Sequence, residues 1–354
     1  MLPEYGDLKI VWHGEKLTSF FKKEITAPVY VRVKPTNKCD HKCFDCVYEP
    51  NFSGIHTGMS RMDEIPREKM LEILKDFHDM GIKAVTYSGG GEPLIYPHIE
   101  EILEKTLEYG INLSIITNGQ NLNGKSAEIL TNAHWVRISS NASNSKTFSQ
   151  IRGKPEECFF KLIKNIENFA KNKKPNCMLG INFVVNHLNY NEVYDSAKFY
   201  KELGVNNIKF TPQWSPNFLK YHSEFKERVM QQIEKAKKEL TDEHFKVYDT
   251  YGKDFELTGI NERRYDKCYI MQTIPVVGAD SKIYFCHNKA YSEDGCLGSI
   301  KDKSFRDLWF SEEAKKIFEN FNPSCSCKHQ CTNDLKNILI RDILDCNSEG
   351  VNFV

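Results

Sequence analysis

The amino-acid sequence predicts an α/β fold: a partial TIM-like (β/α)6 barrel followed by a small cysteine-rich C-terminal extension. Three observations lead there. Short apolar, β-branched segments alternate with helix-spaced stretches over residues 28–220, the pattern of a parallel sheet with crossover helices. A dense cysteine group, NKCDHKCFDC from Asn37 to Cys46, follows the first of those segments. A second group, from Cys268 to Cys331, occupies the chain after the alternation stops.

A chain of 354 residues can bury a full core and still carry an appendage. Lys+Arg and Asp+Glu stand at 48 each, so no bulk positive field recruits nucleic acid or an anionic membrane, and neither is expected as a partner. The start, MLPEYGDLKI, lacks a basic region followed by an apolar one, and no uncharged apolar run approaches the roughly 18 residues that span a bilayer. The expected location is the cytoplasm. Seven of the twelve cysteines lie in the last third of the chain, and without an export signal reduced thiols holding metal fit better than disulfides.

Taken in order, residues 1–27 form an N-terminal extension and residues 28–220 the barrel core. Pro28 to Val33 (PVYVRV) reads as the first strand, running into the cysteine loop. Arg67 to Met80 has helical spacing through Met70, Leu71, Ile73, Leu74 and Phe77; Gly81 closes it and KAVTYS is the second strand. INLSIITNG, HWVRISS, MLGINFVV and NNIKFTP supply four more strands, with helices over Ile99 to Tyr109, Phe160 to Lys171 and Glu192 to Leu203. The count is six parallel strands, and catalytic groups in such barrels gather at the strands' C-terminal ends. Residues 221–262 read as a charged helical linker and 263–354 as the extension, with a short strand in DSKIYFC and a helix around SFRDLWFSEEAKKIF.

Chance would place three cysteines in a CxxxCxxC pattern about 0.01 times in a chain of this composition. A zinc site would want four ligands, usually as two CxxC pairs, and the local set has three. Three thiolates and an open position suit an iron–sulfur cluster that binds a substrate directly at one iron. In these residues the chain resembles the radical S-adenosylmethionine superfamily, whose signature is CxxxCxxC in the loop after the first strand of a partial barrel. The resemblance implies that Cys39, Cys43 and Cys46 hold a [4Fe-4S] cluster completed by S-adenosylmethionine, cleaved to a 5′-deoxyadenosyl radical with an electron from a donor such as flavodoxin or ferredoxin. It implies that Gly90, Gly91 and Glu92, in SGGGEPL, are the GGE element that holds the methionine amino group through backbone oxygens. Ser139 matches the position that touches ribose and carboxylate, Arg152 is placed to assist at the carboxylate, and Tyr48, Asn118 and Asn141 complete the expected cofactor set. Two positions depart from the family's pattern. Asn141 stands where Asp usually follows the serine by two residues, and Asp45 stands where an aromatic commonly precedes the third cysteine. Without the resemblance, SGGGEPL reads as a tight turn and Ser139, Asn141 and Arg152 as turn or cap residues.

The block from Cys268 to Cys331 resembles the twitch or SPASM extension of these enzymes, which binds one or two auxiliary clusters. Seven cysteines from 268 to 346 fall short of the eight that two fully thiolate-ligated clusters require. One auxiliary [4Fe-4S] cluster is therefore expected on Cys268, Cys286, Cys327 and Cys331, with Cys325 as the replacement ligand; four thiolates also suit zinc. Cys158, Cys177 and Cys346 read as small buried hydrophobes. Cys296, in DGCLGS, is the candidate hydrogen-atom donor if a stereocentre is inverted. Tyr87, Asn182, Lys209, Gln213 and Trp214 lie on or just after strands and are candidates for the barrel mouth, strand parity deciding which face inward. Peptide-modifying relatives often carry an N-terminal leader-binding domain, and only 38 residues precede Cys39. The expected substrate is a small polar molecule of sugar or aminocyclitol type, oxidised or epimerised. A peptide or protein substrate is the alternative, and a non-catalytic iron–sulfur scaffold or sensor is the alternative of another class.

Overall fold

The computed structural model describes residues 6–49, 56–253, 263, 265–327 and 331–346. Its strands are β1 (Tyr30–Val33), β2 (Ala84–Tyr87), β3 (Asn112–Thr117), β4 (Trp135–Ser139), β5 (Met178–Val185), β6 (Asn207–Pro212), β7 (Lys246–Asp249), β8 (Val276–Val277), β9 (Lys282–Tyr284) and β10 (Cys296–Ser299). They form one sheet in the order β10-β9-β8-β1-β2-β3-β4-β5-β6-β7. From β1 to β7 every neighbouring pair is parallel.

The six expected parallel strands are all present, and a seventh joins them. Lys246–Asp249 lies inside the stretch read as a helical linker, yet it pairs in parallel with β6, Lys209 opposite Tyr248. Its four residues, KVYD, follow a charged helix too closely for the apolar alternation to stand out. The helical part of that stretch includes Phe218–His222 and Lys226–Leu240; its last nine residues, 254–262, lie outside the described residues. The extension is built onto the sheet, because β8 pairs in parallel with β1 and carries the antiparallel β9 and β10 beyond it.

Helices α1 (Gly14–Phe21), α2 (Arg67–Asp79), α3 (Ile99–Glu108), α4 (Gly124–Leu130), α5 (Ser145–Arg152), α6 (Glu157–Asn172) and α7 (Val193–Glu202) precede or connect the strands. In α2 the residues at helical spacing, Met70, Ile73, Leu74 and Phe77, are all buried. The helix ends at Gly81, whose φ of 71° lies in the left-handed region, and Ile82 N–H then bonds back to Phe77 O. This delivers the chain into β2.

Strand alternation sorts the side chains into two layers. Val31, Val33, Val85, Tyr87, Leu113, Ile115, Val136, Ile138, Leu179, Ile181, Ile208 and Phe210 are buried in one core with the helices. Many of the intervening positions are polar, among them Arg32, Thr86, Ser114, Arg137, Ser139, Asn182 and Lys209, with Ile116 and Val184 as apolar exceptions. A sheet buried on both faces normally reads as a continuous apolar run, so the polar layer marks an inner surface that does not serve as core. Tyr30 Oη donates to Thr86 Oγ1 (2.7 Å), and Thr86 Oγ1 lies 2.6 Å from Ser114 Oγ, linking three strands across that surface.

Candidate active site

The loop after β1 carries the cysteine triad, Cys39 exposed and Cys43 and Cys46 half-buried. Two donors already address its sulfurs. His41 N–H points to Cys39 Sγ at 3.5 Å and Arg152 Nη1 to Cys43 Sγ at 3.4 Å. Arg152 reaches that point because Asn144 caps α5, its Oδ1 accepting from Thr147 N–H at 2.9 Å, and Gly153 ends the helix in the left-handed region. Its other terminal nitrogen donates to the carbonyl of Ser139 at the end of β4.

The glycine loop after β2 is locked to the triad loop. A Cβ on Gly90 would fall 1.9 Å from Asn37 Oδ1, and one on Gly91 would fall 1.8 Å from Lys38 O. Gly91 N–H bonds to Thr36 O (3.1 Å) and Glu92 N–H to Lys38 O (2.9 Å). The glycines are thus required by the approach of one loop to the other. Glu92 is buried and accepts three hydrogen bonds: Leu94 N–H (3.0 Å), Thr117 Oγ1 (2.6 Å) and Asn118 N–H (2.6 Å). Burial pushes its carboxyl up to about 7 against the pull of those donors. Asn118 in turn donates to Asp40 of the triad loop at 2.7 Å.

The two departures from the family pattern meet in space. Asp45 is half-buried, and its Oδ2 accepts from Asn141 Nδ2 (3.1 Å) and Asn186 Nδ2 (3.5 Å). Burial raises its carboxyl above the usual range, with Arg152 opposing. Asn141 Oδ1 accepts from Val184 N–H at 3.0 Å. The carboxylate usually found after β4 has its counterpart here on the triad loop.

Of the expected substrate residues, Asn182 and Lys209 stand in one row with Ser139, a member of the expected cofactor set, across β4, β5 and β6 on the polar layer. Tyr87 is removed from the set. It belongs to the opposite parity, is fully buried, and bonds through its hydroxyl to Thr106 of α3 at 2.7 Å. Gln213 is buried, its Oε1 accepting from Tyr221 Oη at 3.2 Å, while Trp214 beside it is half-buried. Tyr48 is half-buried, stacked on His56 at 4.6 Å, and accepts from Lys34 Nζ at 2.7 Å. Sequence reasoning missed Asp45's role and also Arg32 and Lys34, although the period-two alternation of PVYVRVK places both opposite Val31 and Val33.

The second thiol set is linked through Cys286. Cys286 acts electrostatically on Cys268, Cys327 and Cys331. Cys325 is exposed, with its sulfur 3.7 Å from Ser324 Oγ. The helix Asp334–Leu344 supports the set: Asn337 Nδ2 donates to Cys268 Sγ (3.5 Å), while its Oδ1 accepts from Tyr269 N–H (2.8 Å). Asn333 N–H points to Cys331 Sγ (3.4 Å), and Asp334 takes both Arg263 and Tyr265. Cys296 sits on β10, half-buried, in an apolar cluster with Met59, Tyr48, Tyr284 and Tyr291.

The donor sets fit iron–sulfur clusters. Burial raises the thiols of Cys46, Cys268, Cys286, Cys327 and Cys331, the last to about 12. Thiols grouped this way ionise together when a metal supplies the compensating charge. N–H groups of His41, Arg152, Asn333 and Asn337 aimed at sulfur are the hydrogen bonds such thiolates need. Among the described residues no three His, Cys, Asp or Glu side chains gather as a single ion would require, whereas cluster thiolates bind separate irons.

Comparison with known proteins agrees with this geometry. Residues 33–200 match the family model of the radical SAM superfamily, and residues 268–332 match that of an iron–sulfur cluster-binding domain. An S-adenosylmethionine-dependent nucleotide dehydratase from Flammeovirga pacifica is 27% identical over 163 residues, 44% of this chain and 52% of the relative. A probable GTP 3',8-cyclase from Pyrococcus abyssi is 30% identical over 171 residues, 48% of this chain and 52% of the relative. The chain thus spans about half the length of these curated relatives. Among solved structures, Streptococcus suis SuiB bound to precursor peptide SuiA shares the fold with a TM-score of 0.65 and 18% identity, over 92% of this chain and 77% of that one.

Proposed function

The chain belongs to the radical S-adenosylmethionine superfamily and carries a C-terminal SPASM-type iron–sulfur extension, and from this we propose that it abstracts a hydrogen atom from a small polar, sugar-type substrate held in the barrel. The observation that carries the reading is the polar inner layer of the sheet, with Ser139, Asn182 and Lys209 in one row, on a framework that also carries the triad loop after β1 and the extension paired to β1 through β8. When bound, S-adenosylmethionine on the triad's cluster supplies the hydrogen-abstracting radical of the superfamily, and the auxiliary cluster supplies an acceptor for the substrate's remaining electron.

This chain's own residues then have distinct tasks. The loop-to-loop bonds of Gly91 and Glu92 fix the triad relative to β2, and Arg152 places a positive charge beside Cys43 and the end of β4. Asn182 and Lys209 offer an amide and an ammonium at neighbouring positions, suited to hydroxyl groups. Two relatives are named for reactions on nucleotides, which contain a sugar, and this supports a sugar-type substrate over a peptide. Electrons would come from a reduced carrier of flavodoxin or ferredoxin type. Dehydrogenation is the outcome that gives the auxiliary thiols a role; inversion would instead call on Cys296, which stands opposite Tyr284 on the neighbouring strand.

The test is anaerobic incubation of reconstituted protein with reductant, S-adenosylmethionine and a panel of sugars, nucleotides and peptides. A sugar or nucleotide product two hydrogens lighter supports oxidation. One solvent deuterium retained at carbon, and lost with Cys296→Ala, indicates inversion. Acceleration of 5′-deoxyadenosine release by peptides alone would contradict the substrate class.

A further inference from the structure

Three basic side chains converge where β1 meets the extension. Arg32 and Lys34 stand two residues apart on the polar side of β1, and Arg32 pairs in register with Val276 of β8. Lys34 is fully buried. Its ammonium donates to Tyr48 Oη at 2.7 Å and lies over the rings of Tyr48 and Tyr291, 4.2 and 4.9 Å from their centroids. Those partners are neutral. Arg32 Nε and His287 Nδ1 are buried polar atoms without a hydrogen-bond partner. His56 stacks on Tyr48 and lies 6.3 Å from His287, ring to ring.

Arg32 is held above its ordinary range chiefly by Tyr30, to which its side chain hydrogen-bonds, and so keeps its charge. Burial, then that guanidinium, hold Lys34 well below the usual lysine range, so a charged Lys34 lacks a compensating anion. Asp280, the carboxylate that acts on Lys34, is itself engaged by Tyr284 Oη at 2.7 Å and by Lys282 at 3.7 Å. Buried charges are ordinarily paired, and an unpaired one costs several kcal/mol. Each thiol group acts electrostatically on one of these side chains, Cys46 on Lys34 and Cys286 on Arg32.

We propose that Arg32, Lys34 and His287 form a receptor for an oxyanion of the substrate, a phosphate or a carboxylate, held inside the barrel. The inference rests on the reading of the barrel as the substrate site. An arginine fork and a buried ammonium are the groups that bind such an anion most firmly when water is excluded. Tyr48 Oη accepts from Lys34 and has its own proton left to donate to the same anion. The substrate class becomes an anionic sugar derivative rather than a neutral one. A competing role, in which the cations offset the charge of ligated thiolates, makes a different demand on the same residues and is separable from this one.

The measurement is calorimetric titration of the reconstituted full-length protein with inorganic pyrophosphate and with succinate, alongside iron content. The wild type is expected to bind one of the two probes, which identifies the anion as phosphate or carboxylate. Arg32→Gln and Lys34→Met are each expected to weaken that binding about ten- to a hundredfold, with Arg32→Lys intermediate and iron content held at the wild-type level in all three. Wild type that cleaves S-adenosylmethionine but binds neither probe overturns the receptor and leaves the functional reading standing. Loss of iron in Arg32→Lys as well as Arg32→Gln would assign the cations to the clusters and also overturns it. Failure of the wild type to cleave S-adenosylmethionine at all would instead sink the functional reading.

Discussion

Asp45 and Asn141 show how a departure from a family pattern can be read physically. Each looks like a loss when the sequence is scanned one position at a time. Together they form an amide-to-carboxylate bond of 3.1 Å beside Arg152 and the triad. Asn141→Asp, which restores the family's usual residue, is therefore expected to destabilise this chain, because it removes the donor and sets a second carboxylate against a half-buried one. The cost should be about 1–3 kcal/mol, as for leaving a polar group without its partner, read as a fall in thermal midpoint. Adding Asp45→Asn should recover most of it, since the charge and the amide then simply exchange places; a double variant as unstable as the single one would refute the pairing. Glu92 makes a related case. When ionised it is an acceptor-only group meeting three donors, so Glu92→Gln turns an amide N–H toward one of them. A loss of about 1–3 kcal/mol is expected, and an unchanged midpoint would mean the three bonds do not hold the loop.

The loop after β2 and the thiol set of the extension are legible in the sequence to different depths. SGGGEPL and CxxxCxxC stand out by spacing, but the reason the glycines are needed lies in Asn37 and Lys38, two loops away. No local pattern shows that approach. Gly91→Ala, with its Cβ 1.8 Å from Lys38 O, is expected to pry the loops apart and lower triad iron, whereas Gly14→Ala, with open space around it, should leave iron content unchanged. Equal iron in both would detach the glycine loop from the triad. In the extension, CSCKHQC leaves the choice between Cys325 and its neighbours open, and the electrostatic effect of Cys286 on Cys327 and Cys331 favours those two. Cys325→Ala should keep the auxiliary iron and Cys268→Ala should lose it while S-adenosylmethionine cleavage persists. Iron analysis of the two purified variants decides, and the reverse pattern would contradict the assigned set.

Across the whole molecule, the sheet carries both thiol groups on one framework. The triad follows β1, and β8 of the extension pairs directly with β1, so the two sites share a strand neighbour. The alternation that revealed six strands also holds the polar inner layer: Arg32, Ser139, Asn182 and Lys209 were all visible as the non-apolar half of their strands. What escaped was β7, a four-residue strand identified only by its pairing with β6, and the joining of the extension to the barrel's edge, which depends on two-residue β8. Short strands gain their definition from partners rather than from their own sequence. Among the described residues no helix is long and apolar enough to cross a membrane. The account's central claim is that two separate thiol groups each hold a cluster and that only the first cleaves S-adenosylmethionine. It is tested most directly by iron content and 5′-deoxyadenosine release in anaerobically reconstituted protein and its Cys39→Ala, Cys43→Ala, Cys46→Ala triple variant. The wild type is expected to hold about eight irons, four per cluster; the variant should hold about half and release no 5′-deoxyadenosine. Full iron retention in the triple variant, or persistent cleavage, would contradict the account.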